Sequence, residues 1–157
     1  MQKKVTALTL CAILITVYVL HNILGYNLYS HYSRYLIASI THANVFHLAV
    51  NVGALLSLMT SIANTYNPIR ISIICETIAI AAFALCSADA VGASGFIYAL
   101  LTFIYMRNRT KQNTYIMLIA IAVSFLPNMA TSIHLTSMAL AVCVYVANKF
   151  ISLLKLL

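Results

Sequence analysis

Apolar and polar positions come in long blocks along this chain, and six apolar segments can be counted. The first covers residues 5–24, just after Lys3 and Lys4. A polar stretch rich in Tyr, Ser and His follows at 25–35. The second segment runs over about 44–64 and is closed by Asn67-Pro68. The third is 71–86, the fourth 92–106, the fifth 114–125 and the sixth about 132–154. Short polar links at 87–91, 107–113 and 126–128 part them. A helix needs about 20 residues to cross a bilayer. The pattern therefore predicts an all-α, polytopic membrane bundle of six helices. With no internal repeat or low-complexity linker, residues 1–157 read as a single membrane domain.

Composition agrees with the pattern. Of the 157 residues, 63% are hydrophobic and 7% charged. A soluble domain carries about 25% charged residues, so these few charges suffice only where most of the surface faces lipid. The formal net charge is +7, which raises nucleic acid as a partner. The basic residues exclude it, because they are scattered between apolar runs and form no stripe. Alternating spans place the N-terminus, the 64–70 and 107–111 loops and the C-terminus on one side, with every basic residue except Arg34. Loop charges of this kind mark the cytoplasmic face. Both termini are expected in the cytoplasm and the bilayer to be a plasma or inner membrane. The N-terminus imitates a signal peptide, but His21-Asn22-Ile23-Leu24 stands where a small-residue cleavage site belongs, which predicts a retained first helix. Cys11, Cys75, Cys86 and Cys143 form no close pair and read as small apolar side chains, with no disulfide framework, zinc site or other cofactor.

Polar side chains inside hydrocarbon are costly and point to function. Ser94 lies thirteen residues before Arg107, about 20 Å from the basic face at the helical rise. His134 lies about 22 Å above Lys149, and Asn51 about 20 Å above Asn64. His47 stands one turn from Asn51 on the same helical face. In a hydrocarbon core of about 30 Å, the four share one layer below the outer surface. Polar contacts between helices explain any one of them singly. Four together, of types used in acyl transfer, suggest a site.

Gly92-Ala93-Ser94-Gly95 opens a short apolar run. A helix that starts there begins below the membrane surface, with its first N–H groups free and its positive dipole end outward, as a developing oxyanion requires. Gly92 lets the chain turn sharply and Gly95 lets another helix come close. His134 is the best available base for a Ser94 nucleophile. Glu76, about 9 Å from the cytoplasmic face, lies too low to join them, and Asp89 reads as a loop or helix-start residue. A Ser–His dyad is favoured. Tyr98, four residues after Ser94 on the same face, is positioned to pack on His134 in place of an acid.

These residues resemble the rhomboid family of intramembrane serine proteases. Residues 41–51, Thr-His-Ala-Asn-Val-Phe-His-Leu-Ala-Val-Asn, are similar to its H-x-x-x-x-H-x-x-x-N motif. Residues 92–100, Gly-Ala-Ser-Gly-Phe-Ile-Tyr-Ala-Leu, are similar to its G-x-S-G-x-x-Y-A-L. His134 opens the sixth segment, where the family has its catalytic histidine. The resemblance covers the whole chain and implies a six-transmembrane-helix rhomboid-like bundle. It implies Ser94 as nucleophile, His134 as base, and His47 and Asn51 joining the Ser94 N–H in an oxyanion hole. It also implies His42 at the outer end of the second helix, supporting the site and its water. The chain departs from the family in three places. Ser33-Arg34 stands where Trp-Arg is frequent, the first external loop is short, and Ser137 and Ala141 replace two glycines after the histidine.

The expected activity is cleavage of transmembrane substrates near the outer membrane face, with single-span proteins and the lipid bilayer as partners. The alternative is a catalytically silent rhomboid-like protein that binds transmembrane helices. Such proteins usually lack the serine or the histidine, and both are present here. A small transporter component using Glu76 as a proton site has no paired carboxylate or broken-helix repeat behind it.

Overall fold

The computed structural model describes residues 2–30, 33–62, 66–86 and 90–154. Asn64, Asp89 and Lys155, used above for depth, loop assignment and charge, lie outside the described residues. The described residues form seven α-helices and one π-helical turn. They are α1 (Gln2–Tyr18), continued by the π turn Val19–Ile23, then α2 (Arg34–Ile40), α3 (Val45–Ser61), α4 (Pro68–Cys86), α5 (Ser94–Arg107), α6 (Lys111–Ser124) and α7 (Thr131–Leu154). Each of the six apolar segments forms one main helix, from 14 residues in α5 and α6 to 24 in α7. The short helix α2 was not expected from the pattern.

Local chemistry sets the helix starts. The Asn44 side chain accepts from the His47 N–H at 2.8 Å and caps α3. Asn67 Oδ1 accepts from the Ile69 and Arg70 N–H groups, and Pro68 takes the first helical position, where no donor is lost. Asn67-Pro68 therefore starts α4 as well as closing the segment before it. Thr110 caps α6 by accepting from the Asn113 N–H, so this helix begins three residues earlier than the apolar run.

Helix α5 is the centre of the bundle. Ten consecutive residues, Gly95 to Ile104, are buried, as expected for a helix apolar on every side. It packs mainly on α7 and α4, and also on α3 and α6. Small residues allow the approach: a Cβ on Gly95 would stand 3.2 Å from Ser137 Oγ and 3.3 Å from Ala79 Cβ. Ser137 and Ala141, where the family has glycines, are both fully buried on α7. Their small side chains keep that face close-packed.

The outer surface is apolar, with Leu8, Ile73, Leu85 and Ile119 each more than 60% exposed. Patches on this scale mark a membrane-facing surface. Among the described residues three helices are long and apolar enough to cross a bilayer, or four if α2 and α3, bent by 82°, count as one span. The chain is an integral membrane protein. Helix α5, at 14 residues, is apolar but shorter. The sequence reading of all four cysteines as buried apolar side chains holds for Cys11 and Cys75, whereas Cys86 is half-buried and Cys143 is exposed on α7.

Candidate active site

Ser94 is the first residue of α5, and the turn before it is built on Gly92. Gly92 has φ +133°, a conformation open to glycine. Its N–H donates to the Ala38 carbonyl at 2.9 Å, which ties the turn to α2. The Ala93 N–H donates to His42 Nε2 at 3.4 Å. The π turn fixes His42 in turn, because the Asn22 amide donates to the His42 carbonyl at 3.0 Å. His42 therefore sits in the bend that leads into α3, fully buried. Its contact is with the Ser94 turn. The bend between α2 and α3 turns this histidine inward.

His134, near the start of α7, brings Nε2 to 2.9 Å from Ser94 Oγ. Its ring stacks on Tyr98, with centroids 4.2 Å apart and planes 5° from parallel. The Tyr98 hydroxyl donates to the Ala120 carbonyl on α6 at 2.8 Å, so the aromatic plate is anchored at its far end. His134 Nδ1 has no hydrogen-bond partner among the described residues. Among the described residues no carboxylate bonds to the imidazole, and stacking between flat faces holds it.

His47 and Asn51 face the same cleft from α3. The His47 ring lies against Gly92: a Cβ there would fall 2.6 Å from His47 Cε1. It also meets His42 edge to face at 5.1 Å. The Asn51 amide donates to the His47 carbonyl at 2.8 Å, using one of its two N–H groups and leaving the other. The structure thus gathers Ser94, His134, His47, Asn51 and Tyr98 on one cleft, and places Gly92 and His42 behind the serine. Free first-turn N–H groups of α5 lie beside the Ser94 hydroxyl.

The cleft has a volume of about 1200 Å³ and runs between α3 and α6 from Ser94 down to Arg107 and Asn108. Such an arrangement can pass a serine proton to an imidazole and offer donors to an oxyanion. Sequence reasoning missed the residues that act through their backbone or from outside the motifs. Ala38 and Ala120 contribute only carbonyls, which no side-chain pattern reveals. Asn22, in an otherwise apolar run, was the one visible signal.

The sequence matches a protein-family model described as Rhomboid domain over residues 29–153, well over half of the chain. No curated protein and no solved structure gives a match.

Proposed function

We propose that this chain, which belongs to the rhomboid family, is an active serine endopeptidase that cuts transmembrane substrates near the outer membrane face. The observation that carries the reading is the 2.9 Å pair of Ser94 Oγ and His134 Nε2 in a membrane bundle. Family members are generally intramembrane serine proteases, and silent relatives usually lack the serine or the histidine, both present here. In this reading residues 1–157 form one membrane domain of six spans, with both termini in the cytoplasm.

His134 Nε2 takes the Ser94 proton as Oγ attacks the substrate carbonyl. The oxyanion that forms is met by the Ser94 N–H, the second Asn51 N–H and the His47 ring. His134 then gives its proton to the departing amine, and water releases the acyl group by the reverse use of the same pair. Tyr98 keeps the imidazole in plane throughout. His42 and Gly92 hold the turn that aims the serine.

Asn51→Ala and His47→Ala are each expected to lower turnover by about 10²-fold, since one oxyanion donor is lost while others remain. Rates measured in detergent on one cleaved substrate check this. If both variants stay within a few-fold of wild type, the oxyanion rests on backbone N–H groups alone.

The substrate follows from the level of the site. Ser94 can reach only the outer end of a substrate helix, and a helical peptide bond is shielded by its own hydrogen bonds until it unwinds. Single-span proteins with an external N-terminus, cut after a small residue near a helix breaker, are the expected substrates. Incubating the purified protein with a panel of single-span proteins and mapping each cut tests the function. Replacing the breaker by Leu is expected to slow cleavage at least tenfold, given the poor helix propensity of Gly and Pro. Equal cleavage of a uniform poly-Leu span would show that unwinding does not select the substrate. No cleavage of any substrate, with no reaction of Ser94 with a fluorophosphonate, would leave the silent helix-binding protein as the reading.

A further inference from the structure

A second polar cluster lies outside the Ser94 cleft. Glu76 on α4 and Ser39 on α2 are paired, with Oε1 and Oγ 2.5 Å apart. Ser39 is fully buried. Glu76 also borders an apolar groove with Leu14, Ile40, Ala93 and Phe96, so the carboxyl stands just behind the helix that carries the nucleophile. The reaction steps above make no use of it.

Counting protons defines the pair. Ser39 Oγ lies 2.7 Å from the Leu36 carbonyl as well as close to Glu76. A serine hydroxyl has one proton, whereas a protonated carboxyl has one of its own to give. Both contacts are satisfied together when Ser39 donates to Leu36 and Glu76 donates to Ser39. The bond then joins α4 to α2 through a side chain of α2 that is fully buried.

Residues on α2 and just after it lead to the nucleophile. The carbonyl of Ala38, adjacent to Ser39, accepts from the Gly92 N–H. Three residues after Ser39, the His42 ring accepts from the Ala93 N–H. Gly92 and Ala93 immediately precede Ser94. Helix α2 has only seven residues and is too short to hold its own shape. Its seat on α4 therefore sets where these two acceptors stand.

We propose that Glu76 is a positioning residue for the nucleophile: by pinning α2 through Ser39, it holds the Gly92-Ala93 turn that aims Ser94. The inference deepens the protease reading and rests on it for the activity readout alone. It gives the short helix a task, and it gives a carboxyl in a membrane helix a reason to be there.

The test uses the full chain in detergent with three variants: Glu76→Leu, Glu76→Gln and Ser39→Ala. Two quantities are measured on each, the rate constant and half-saturating concentration for fluorophosphonate labelling of Ser94, and amide hydrogen exchange in a peptide covering residues 90–97. Glu76→Leu and Ser39→Ala are expected to slow labelling about tenfold, the effect of losing one buried hydrogen bond, at an unchanged half-saturating concentration. Exchange at residues 92–93 is expected to quicken by a similar factor. Glu76→Gln, whose amide keeps a donor, is expected to return both to within about threefold of wild type. A merely structural role would lower the amount of folded protein without moving the rate constant of the folded fraction. Wild-type labelling and exchange in Glu76→Leu would overturn the proposal, and so would a Glu76→Gln as slow as Glu76→Leu. If Glu76→Leu fails to fold, Ser39→Ala, which removes a single hydroxyl, decides between the same outcomes. If the wild type itself does not label, the protease reading falls, and the exchange comparison still judges the role of Glu76.

Discussion

Ser94→Ala is expected to reduce cleavage by roughly 10⁴–10⁶-fold, down to background, with no change in membrane insertion or melting temperature. The change removes one hydroxyl that is bonded to His134 and leaves a methyl at a half-buried position, so nothing in the fold depends on it. His134→Ala is expected to fall within about tenfold of the same rate, because serine and imidazole act as a unit. The double variant is then no worse than either single one. Turnover of one mapped substrate, measured with all three proteins at equal folded concentration, checks this non-additivity. Near-normal turnover in either single variant removes that residue from the mechanism. His134→Ala differs in one respect. It takes away the partner of the Tyr98 ring, so a modest loss of stability is expected, on the order of 1–3 kcal/mol, for a stacked and buried side chain.

The chemistry of this site was legible because each residue type stood out against its surroundings. Serine and histidine in apolar runs are conspicuous, and depths reckoned from the basic loops placed them in one layer. Helical spacing puts Tyr98 on the Ser94 face, from which its ring reaches His134 once α7 packs on α5. What could not be read is structure that depends on direction or on the main chain. The 82° bend between α2 and α3 holds His42 and brings its ring into contact with Ala93. Motif spacing measures distance along the chain and holds no information on that bend. A helix of seven residues has too few turns to show a period, so α2 was hidden in a polar stretch and a short apolar run. Glu76 was visible as an anomaly, but its partner Ser39 is 37 positions away and lies on that hidden helix. The level of Ser94 similarly does not fix how many helices cross the bilayer. Helix α5 begins inside the bundle, and its 14 residues are apolar without being long.

Gly92→Ala is expected to cost at least about 10³-fold in cleavage, more than the loss of either polar side chain on α3. Two independent effects meet at this residue. With φ at +133°, the backbone adopts a conformation that a side chain strains, on the order of 1–3 kcal/mol. A Cβ would also stand 2.6 Å from Cε1 and 2.9 Å from Nε2 of His47, closer than non-bonded atoms come. Either the ring of His47 swings out, taking one proposed oxyanion donor with it, or the turn shifts and moves Ser94 relative to His134. A displacement of about 1 Å is enough for a 10²-fold loss, and a lost donor brings a further 10-fold or more. The second route would also break the Gly92 N–H bond to Ala38 and loosen α2. A double variant separates them. In Gly92→Ala combined with His47→Ala the clash is gone and only the φ strain remains. If the clash dominates, the double variant cleaves faster than Gly92→Ala alone and approaches His47→Ala. If strain dominates, adding His47→Ala slows cleavage further. Turnover within threefold of wild type in the single variant would mean that the turn yields freely at position 92, and that the tight seat of His47 against Gly92 plays no part in aiming the serine.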